Sequence, residues 1–167
     1  MVEKFPKCVF PYIEKLPENR NDKSILANIK KFGDMYGEKY VESIVWSQED
    51  AKNILSRMGV KESELFFQFY LNSFELPKID KPDDLYGLSE IYADFLNSYW
   101  SNRYPGIEKK FLQLSSIEGE FSYFYNKETG EVFGVEFDQM DLLWSGELKP
   151  LFSSFYEFLD WYFSDSD

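Results

Sequence analysis

Apolar residues recur at helical spacing through the first two thirds of the chain, between residues that typically begin and end helices. A serine side chain caps helix starts and glycine ends helices, so Ser47 and Gly59 bound one predicted helix. An earlier helix is predicted to begin at Ser24 and to end at Gly33 or Gly37. Two further helices are predicted over residues 62–71 and from Ser89 or Glu90 onward.

Apolar and polar residues alternate in the last third of the chain, which is the pattern of strands that cover a core. The segment from Asn126 to Gly130 interrupts the alternation, and its glycine can take the positive φ of a hairpin connection. The sequence therefore predicts an antiparallel hairpin, with residues 111–114 as a further strand. The alternating apolar positions are Phe121, Tyr123 and Tyr125 on one hairpin strand and Phe133, Val135 and Phe137 on the other.

A closing helix is predicted after the hairpin. Ser154 and Glu157 have the spacing of a capping box, in which two side chains satisfy the first free backbone N–H groups. The helix is too short to be stable alone in water, so its apolar face must dock on the sheet. The chain is therefore predicted to be one α+β domain over residues 1–167. The apolar face of this helix consists of Phe155, Phe158, Leu159 and Tyr162.

Composition indicates a folded protein. The hydrophobic fraction of 44% and the aromatic fraction of 20% are enough to form a core. The sequence contains no apolar run long enough to span a membrane and no signal peptide at its start. Cys8 is the one cysteine, which excludes an internal disulfide and fits a reducing compartment.

Catalytic residue types are scarce. The chain has no histidine, so it lacks the usual general base and the commonest metal ligand, and Cys8 has no histidine to activate it. Glu136, Asp138 and Asp141 lack the glycine-bracketed spacing of a calcium loop, so no metal site is predicted. An acid-based hydrolase would need paired carboxylates in a deep cleft. The chain is accordingly predicted not to be an enzyme and to need no cofactor.

Negative charge is concentrated near the end of the chain. The net charge is −12. Residues 116–167 contain 12 acidic and 2 basic residues and therefore account for −10 of it. Two interpretations remain open: an ordinary solvated surface, or an anionic face that steers the protein toward a basic partner. Either interpretation disfavours direct binding of nucleic acid, because phosphates require basic residues.

Consecutive aromatic residues on a strand point to opposite faces of the sheet. Tyr123 and Phe124 are such a pair, and acidic residues surround them in the sequence. An aromatic side chain on an exposed face with an acidic rim is a typical interface anchor. The predicted anchors are Tyr123, Phe124 and Trp144, and the predicted rim is Glu118, Glu120, Glu128, Glu131, Glu136, Asp138 and Asp141.

Three segments resemble the SUKH superfamily, the group of immunity proteins related to yeast cell-wall-synthesis regulators. The first is the aromatic helix Glu64-Leu-Phe-Phe-Gln-Phe-Tyr70. The second is the hairpin Tyr123-Phe-Tyr-Asn-Lys-Glu-Thr-Gly130-Glu-Val-Phe133, with its Thr-Gly turn. The third is the closing helix Leu151-Phe-Ser-Ser-Phe-Tyr-Glu-Phe-Leu-Asp-Trp-Tyr162. Together they span roughly residues 47–163.

The resemblance implies N-terminal helices packed on a mainly antiparallel sheet, followed by a C-terminal helix. It also implies a cytoplasmic immunity protein that binds a cognate polymorphic or contact-dependent toxin domain, often a nuclease, without performing chemistry. Such a protein is expected to be a monomer when free and to form a 1:1 complex with its toxin. The alternative is a non-catalytic regulatory scaffold that binds a cellular protein, as the yeast relatives do.

Overall fold

The structure, a computed structural model, describes residues 5–13, 16–41, 44–72, 84–116 and 119–164. Helices precede a small sheet, and two more helices follow it, so the predicted α+β class is confirmed. The helices are α1 (Lys23–Tyr36), α2 (Glu38–Val41), α3 (Gln48–Arg57), α4 (Leu65–Leu71), α5 (Leu88–Leu96), α6 (Ile107–Lys110), α7 (Met140–Ser145) and α8 (Phe155–Phe163), with 3-10 helices Lys7–Tyr12 and Phe137–Gln139. The strands are β1 (Phe111–Gln113), β2 (Phe121–Asn126) and β3 (Val132–Glu136).

The described part of the sheet is an antiparallel meander in the order β1-β2-β3. Tyr125 lies opposite Leu112 on one side and opposite Val132 on the other, which fixes the register of all three strands. The predicted hairpin turn is confirmed. Gly130 has a φ of 79°, and its N–H donates to the carbonyl of Asn126 at 2.8 Å.

Both faces of the sheet are covered. The face that carries Tyr123 and Tyr125 packs against helices α3, α4, α5 and α8 and against the N-terminal 3-10 helix. The face that carries Phe124 packs against a second cluster, which comes from the segment before β1 and from α7. The side chains that cover this second face include Trp100, Tyr104, Ile107, Met140 and Leu143.

Local capping signals set the boundaries of several helices. The hydroxyl of Ser47 accepts from the N–H of Asp50, and Gly59 takes a φ of 80° just beyond α3, as predicted. The first helix differs from the prediction at its start. Asp22, not Ser24, is its cap, because the Asp22 carboxylate accepts from the N–H groups of Ser24 and Ile25.

Gly33 lies inside α1 and does not end it. Its backbone has ordinary helical geometry, and a Cβ at this position would lie 3.4 Å from Val41 of α2, which is an ordinary van der Waals contact, so neither the backbone nor the packing requires glycine here. Gly37, with a φ of 96°, ends the helix instead. Positive φ at Gly37 is easy for glycine and strained for most other residues, which explains why the second of the two candidates is used.

The closing helix, α8, docks on the sheet, as predicted from the fact that so short a helix is not stable alone in water. Phe155, Phe158, Leu159 and Tyr162 are all buried against the first sheet face. The Ser154 hydroxyl accepts from the N–H of Glu157. The reciprocal bond is shifted by one residue, because the Glu157 carboxylate accepts from the N–H of Ser153.

In the described part of the chain, no helix combines the length and the apolar character needed to cross a membrane.

Candidate partner-binding surface

The predicted acidic rim is divided between the two ends of the β2–β3 hairpin. Glu120 precedes β2 and Glu136 ends β3, and these two strand ends are neighbours. Phe121 lies opposite Glu136, and the N–H of Phe137 donates to the backbone carbonyl of Glu120 at 3.0 Å. Glu128 and Glu131 lie at the turn, about 20 Å away along a six-residue strand. The two groups therefore form separate surfaces. Glu118 lies outside the described residues.

The aromatic pair on β2 does not provide an exposed anchor. Tyr123 and Phe124 each retain 2% of their accessible surface, because helices cover one sheet face and the Trp100 segment with α7 covers the other. The prediction that one of these rings stands on an exposed sheet face is wrong. Strand alternation shows that neighbouring side chains point to opposite faces, but not whether a second layer covers each face.

Trp144 is the one predicted anchor that reaches solvent. Its side chain is 39% exposed on α7, and its ring centroid lies 5.9 Å from that of Tyr104. Tyr104 is itself held in place, because its hydroxyl donates to the Asp141 carboxylate and Arg103 donates to the same carboxylate at 3.3 Å. The indole therefore rests on a supported ring.

The Tyr104 hydroxyl remains a donor over the physiological pH range. Burial and the hydrogen bond to Asp141 raise its pKa above the usual value for tyrosine. Asp141 receives two donors, from Tyr104 and Arg103, so its charge is partly balanced within the chain. Asp141 is thus a support for the anchor more than a free acidic contact.

Exposed acidic residues lie next to Trp144 along the chain. Asp138 is in the 3-10 helix that leads into α7, and Leu142, with 37% of its surface exposed, is one turn further on. Glu120 and Glu136 adjoin the start of this segment through the strand ends. These residues define the Trp144 surface: Glu120, Glu136, Asp138, Asp141, Leu142 and Trp144.

A second acidic surface surrounds the hairpin turn. A groove of about 310 Å³ is lined there by Glu64, Glu128, Gly130 and the half-exposed Tyr156. The hydroxyl of Tyr125 donates to Glu64 at 3.0 Å, so the Glu64 carboxylate is already bonded. This turn groove has an acidic lining, but among the described residues its exposed aromatic side chain, Tyr156, has no ring contact like that of Trp144 with Tyr104.

Sequence reasoning missed Arg103 and Tyr104. They lie in a loop without periodicity, 37 or more residues before Asp141, and no spacing connects the two regions. The Tyr104-Pro105-Gly106 turn was the only local signal, and it indicates a change of chain direction without indicating a contact.

Several cavities among the described residues are lined by two carboxylates, which bears on the hydrolase alternative. Glu49 and Asp50 line an open cavity of about 440 Å³, where Asp50 is bonded to Arg20, and Glu64 and Glu128 line the turn groove. Asp94 of α5 and Glu108 of α6 line a cavity beside β1 with a free volume of about 10 Å³. That volume holds about one water molecule and admits no substrate. Among the described residues, no group of three or more acidic or cysteine side chains is arranged to hold a metal ion.

Asp94 gives a pH-dependent stability that can be measured. Burial raises its pKa from 3.8 to about 6, so the folded state binds the proton more tightly than the unfolded chain. The contribution of Asp94 to stability is therefore greatest below about pH 4 and is lost as the pH rises through 6. We expect Asp94→Asn to stabilise the protein at pH 7.5 by about 1–2 kcal/mol, after allowance for solvent screening, and to have little effect at pH 4.

Urea unfolding of Asp94→Asn and wild type at both pH values measures this effect. The matched control is Asp34→Asn, which removes an exposed carboxylate from α1 and should change stability by about 0.5 kcal/mol or less. An Asp94→Asn effect of equal size at pH 4 and pH 7.5 contradicts the prediction.

Comparison with protein-family models, with curated proteins and with solved structures finds no match to this chain. Function is therefore inferred from the chain's own sequence and surface.

Proposed function

We propose that this protein is an immunity protein of the SUKH kind, which neutralises a cognate toxin by covering its active-site surface. The toxin is expected to be a polymorphic or contact-dependent toxin domain, and specifically a nuclease. The observation that carries the proposal is Trp144, a partly exposed indole that is supported by Tyr104 and lies one helical turn from Asp141.

The Trp144 surface has the layout of an inhibitory interface. Energetically important interface residues are enriched in tryptophan and lie within a polar rim, and a rigid ring loses little entropy when it binds. Leu142 is a second exposed apolar residue of α7, and Glu136 and Asp138 are the proposed rim. Arg103 is the basic residue bonded to this surface, and its bond to Asp141 occupies it.

Charge supports a nuclease as the target. A nuclease needs a basic surface to bind phosphates, and an acidic protein can occupy that surface in place of the substrate. Residues 116–167 contain 12 acidic and 2 basic residues, and the Trp144 surface lies among them. Binding there requires no reaction by the inhibitor, in agreement with the shortage of catalytic residue types.

Matched charge reversals test both the function and the location. The toxin encoded beside this gene is expressed with wild type, with Glu136→Lys/Asp138→Lys, and with Glu128→Lys/Glu131→Lys as the control. Each double variant changes the net charge by the same amount. We expect the first to lose growth rescue and to associate about 10- to 100-fold more slowly at low salt, since steering depends on nearby charge. The control should rescue growth.

The opposite pattern, with the Glu128 and Glu131 reversals harmful and the others harmless, would move the interface to the turn groove. If both double variants have equally small effects on growth rescue and on the association rate, the acidic-rim hypothesis is wrong. If the adjacent gene product neither binds nor is toxic, the regulatory scaffold becomes the better interpretation.

A further inference from the structure

A small cavity lies beside β1, between α5 and α6. Its apolar wall includes Phe95 and Phe111, and its polar lining includes Asp94, Trp100, Glu108 and Gln113. The free volume of about 10 Å³ corresponds to one water molecule and is too small for an organic ligand.

Three buried polar atoms around this cavity have no hydrogen-bond partner among the described residues. They are Nε1 of Trp100, Oε2 of Glu108 and Oε1 of Gln113, and all three residues line the cavity. Trp100 and Gln113 retain only 6% and 5% of their accessible surface. Burial of an unsatisfied polar group is costly, so three in one place indicate a shared partner.

The orientation of the Gln113 amide is set by another bond. Its Nε2 donates to the carbonyl of Ser115 at 2.9 Å, so the remaining oxygen is an acceptor and not a misassigned donor. The Trp100 indole can only donate, and a glutamate carboxylate accepts. The unmatched set is therefore one donor and two acceptors.

We propose that this cavity is a binding site for a single ordered water molecule. The water accepts from Nε1–H of Trp100 and donates to Oε1 of Gln113 and Oε2 of Glu108. Three hydrogen bonds are typical of buried water in proteins, and one molecule satisfies every unmatched atom of the set. A bound cation would satisfy the two oxygens but would face the positive end of the Trp100 N–H dipole.

The water connects parts of the chain that support the Trp144 surface. It joins β1 and α6 to the loop of Trp100, whose carbonyl accepts from the N–H of Tyr104 at 2.8 Å. Tyr104 in turn supports the indole of Trp144. The site does not depend on the proposed function, because its partners belong to this chain alone.

Nuclear magnetic resonance of the full chain tests the site without any substitution. The indole N–H proton of Trp100 is expected to show a nuclear Overhauser cross-peak to water. The sign of this cross-peak should indicate that the water stays bound for longer than the rotational tumbling time of the protein. Trp144→Phe is the control, because it removes the indole signal of Trp144, which is far more exposed to solvent than that of Trp100. The cross-peak assigned to Trp100 should remain unchanged in this variant. A sharp, assigned Trp100 indole signal without such a cross-peak overturns the proposal.

Substitution and salt give two further readouts. Gln113→Met removes the acceptor Oε1 together with the Nε2 donor to Ser115, so we expect the Trp100 cross-peak to be lost and the unfolding equilibrium constant to rise by about tenfold. Potassium or ammonium chloride should act on stability as sodium chloride does at equal ionic strength. A specific increase in stability with potassium or ammonium would identify a cation site and overturn the assignment to water.

Discussion

Replacement of Phe158 by alanine is expected to lower the free energy of unfolding by about 3–5 kcal/mol, the usual loss for a large ring deleted from a core. Phe158 has no accessible surface, and its ring lies 5.2 Å from that of Tyr123 and 5.7 Å from that of Tyr162. It therefore contacts both the sheet and its own helix. Native domains are stable by about 5–15 kcal/mol in total, so the variant should be near the limit of folding.

Urea unfolding followed by circular dichroism measures this loss. Tyr156→Ala is the matched control, because Tyr156 lies on the same helix with 47% of its surface exposed and should cost about 1 kcal/mol or less. If the two variants lose similar stability, α8 does not provide the main cover for the first sheet face. If Phe158→Ala fails to fold, Phe158→Leu should fold with a smaller loss, since most of the buried volume is retained.

The elements that sequence patterns predicted correctly are those whose determinants are local. Ser47 and Gly59 bound α3 because a hydroxyl cap and a positive φ act within one turn of the helix. Gly130 closes the hairpin for the same reason. Asp22 and not Ser24 caps α1, because both residue types can cap a helix, the two lie only two positions apart, and the backbone geometry decides between them.

The candidate surface was predictable only in part, because layers and supports are made by distant segments. The alternation on β2 placed Tyr123 and Phe124 on opposite faces correctly, but the cover over Phe124 comes from Trp100 and from α7. The support of Trp144 by Tyr104 likewise joins residues far apart in the chain. A local sequence pattern does not indicate which distant segments pack together, and the second layer over a sheet is made by such segments.

The separation of the acidic residues into two surfaces follows from the hairpin itself. Residues adjacent in sequence at a turn lie far in space from those at the open ends of the same strands. Composition alone treats Glu128 and Glu136 as equivalent members of one acidic segment. The paired strands place them at opposite ends, so their substitutions become controls for each other.

Under the proposed function, Trp144→Ala is expected to weaken toxin binding by about 2–4 kcal/mol, or roughly 30- to 1,000-fold in Kd, as truncation of a central aromatic anchor does. The protein itself should remain folded, because the indole is 39% exposed and its supporting ring, Tyr104, is held separately by Asp141. Titration calorimetry with the purified toxin domain measures the affinity, and urea unfolding checks the fold. Tyr156→Ala, in the turn groove, is the control and should bind normally.

The rates distinguish the anchor from the rim. Loss of a packed ring increases the dissociation rate and leaves steering unchanged, so Trp144→Ala should dissociate faster at every salt concentration. Reversal of Glu136 and Asp138 should mainly slow association, and salt should reduce the difference from wild type because exposed charges are screened. If Tyr156→Ala weakens binding and Trp144→Ala does not, the turn groove is the interface. If Trp144→Ala slows association without affecting dissociation, the indole is not the buried centre of the contact.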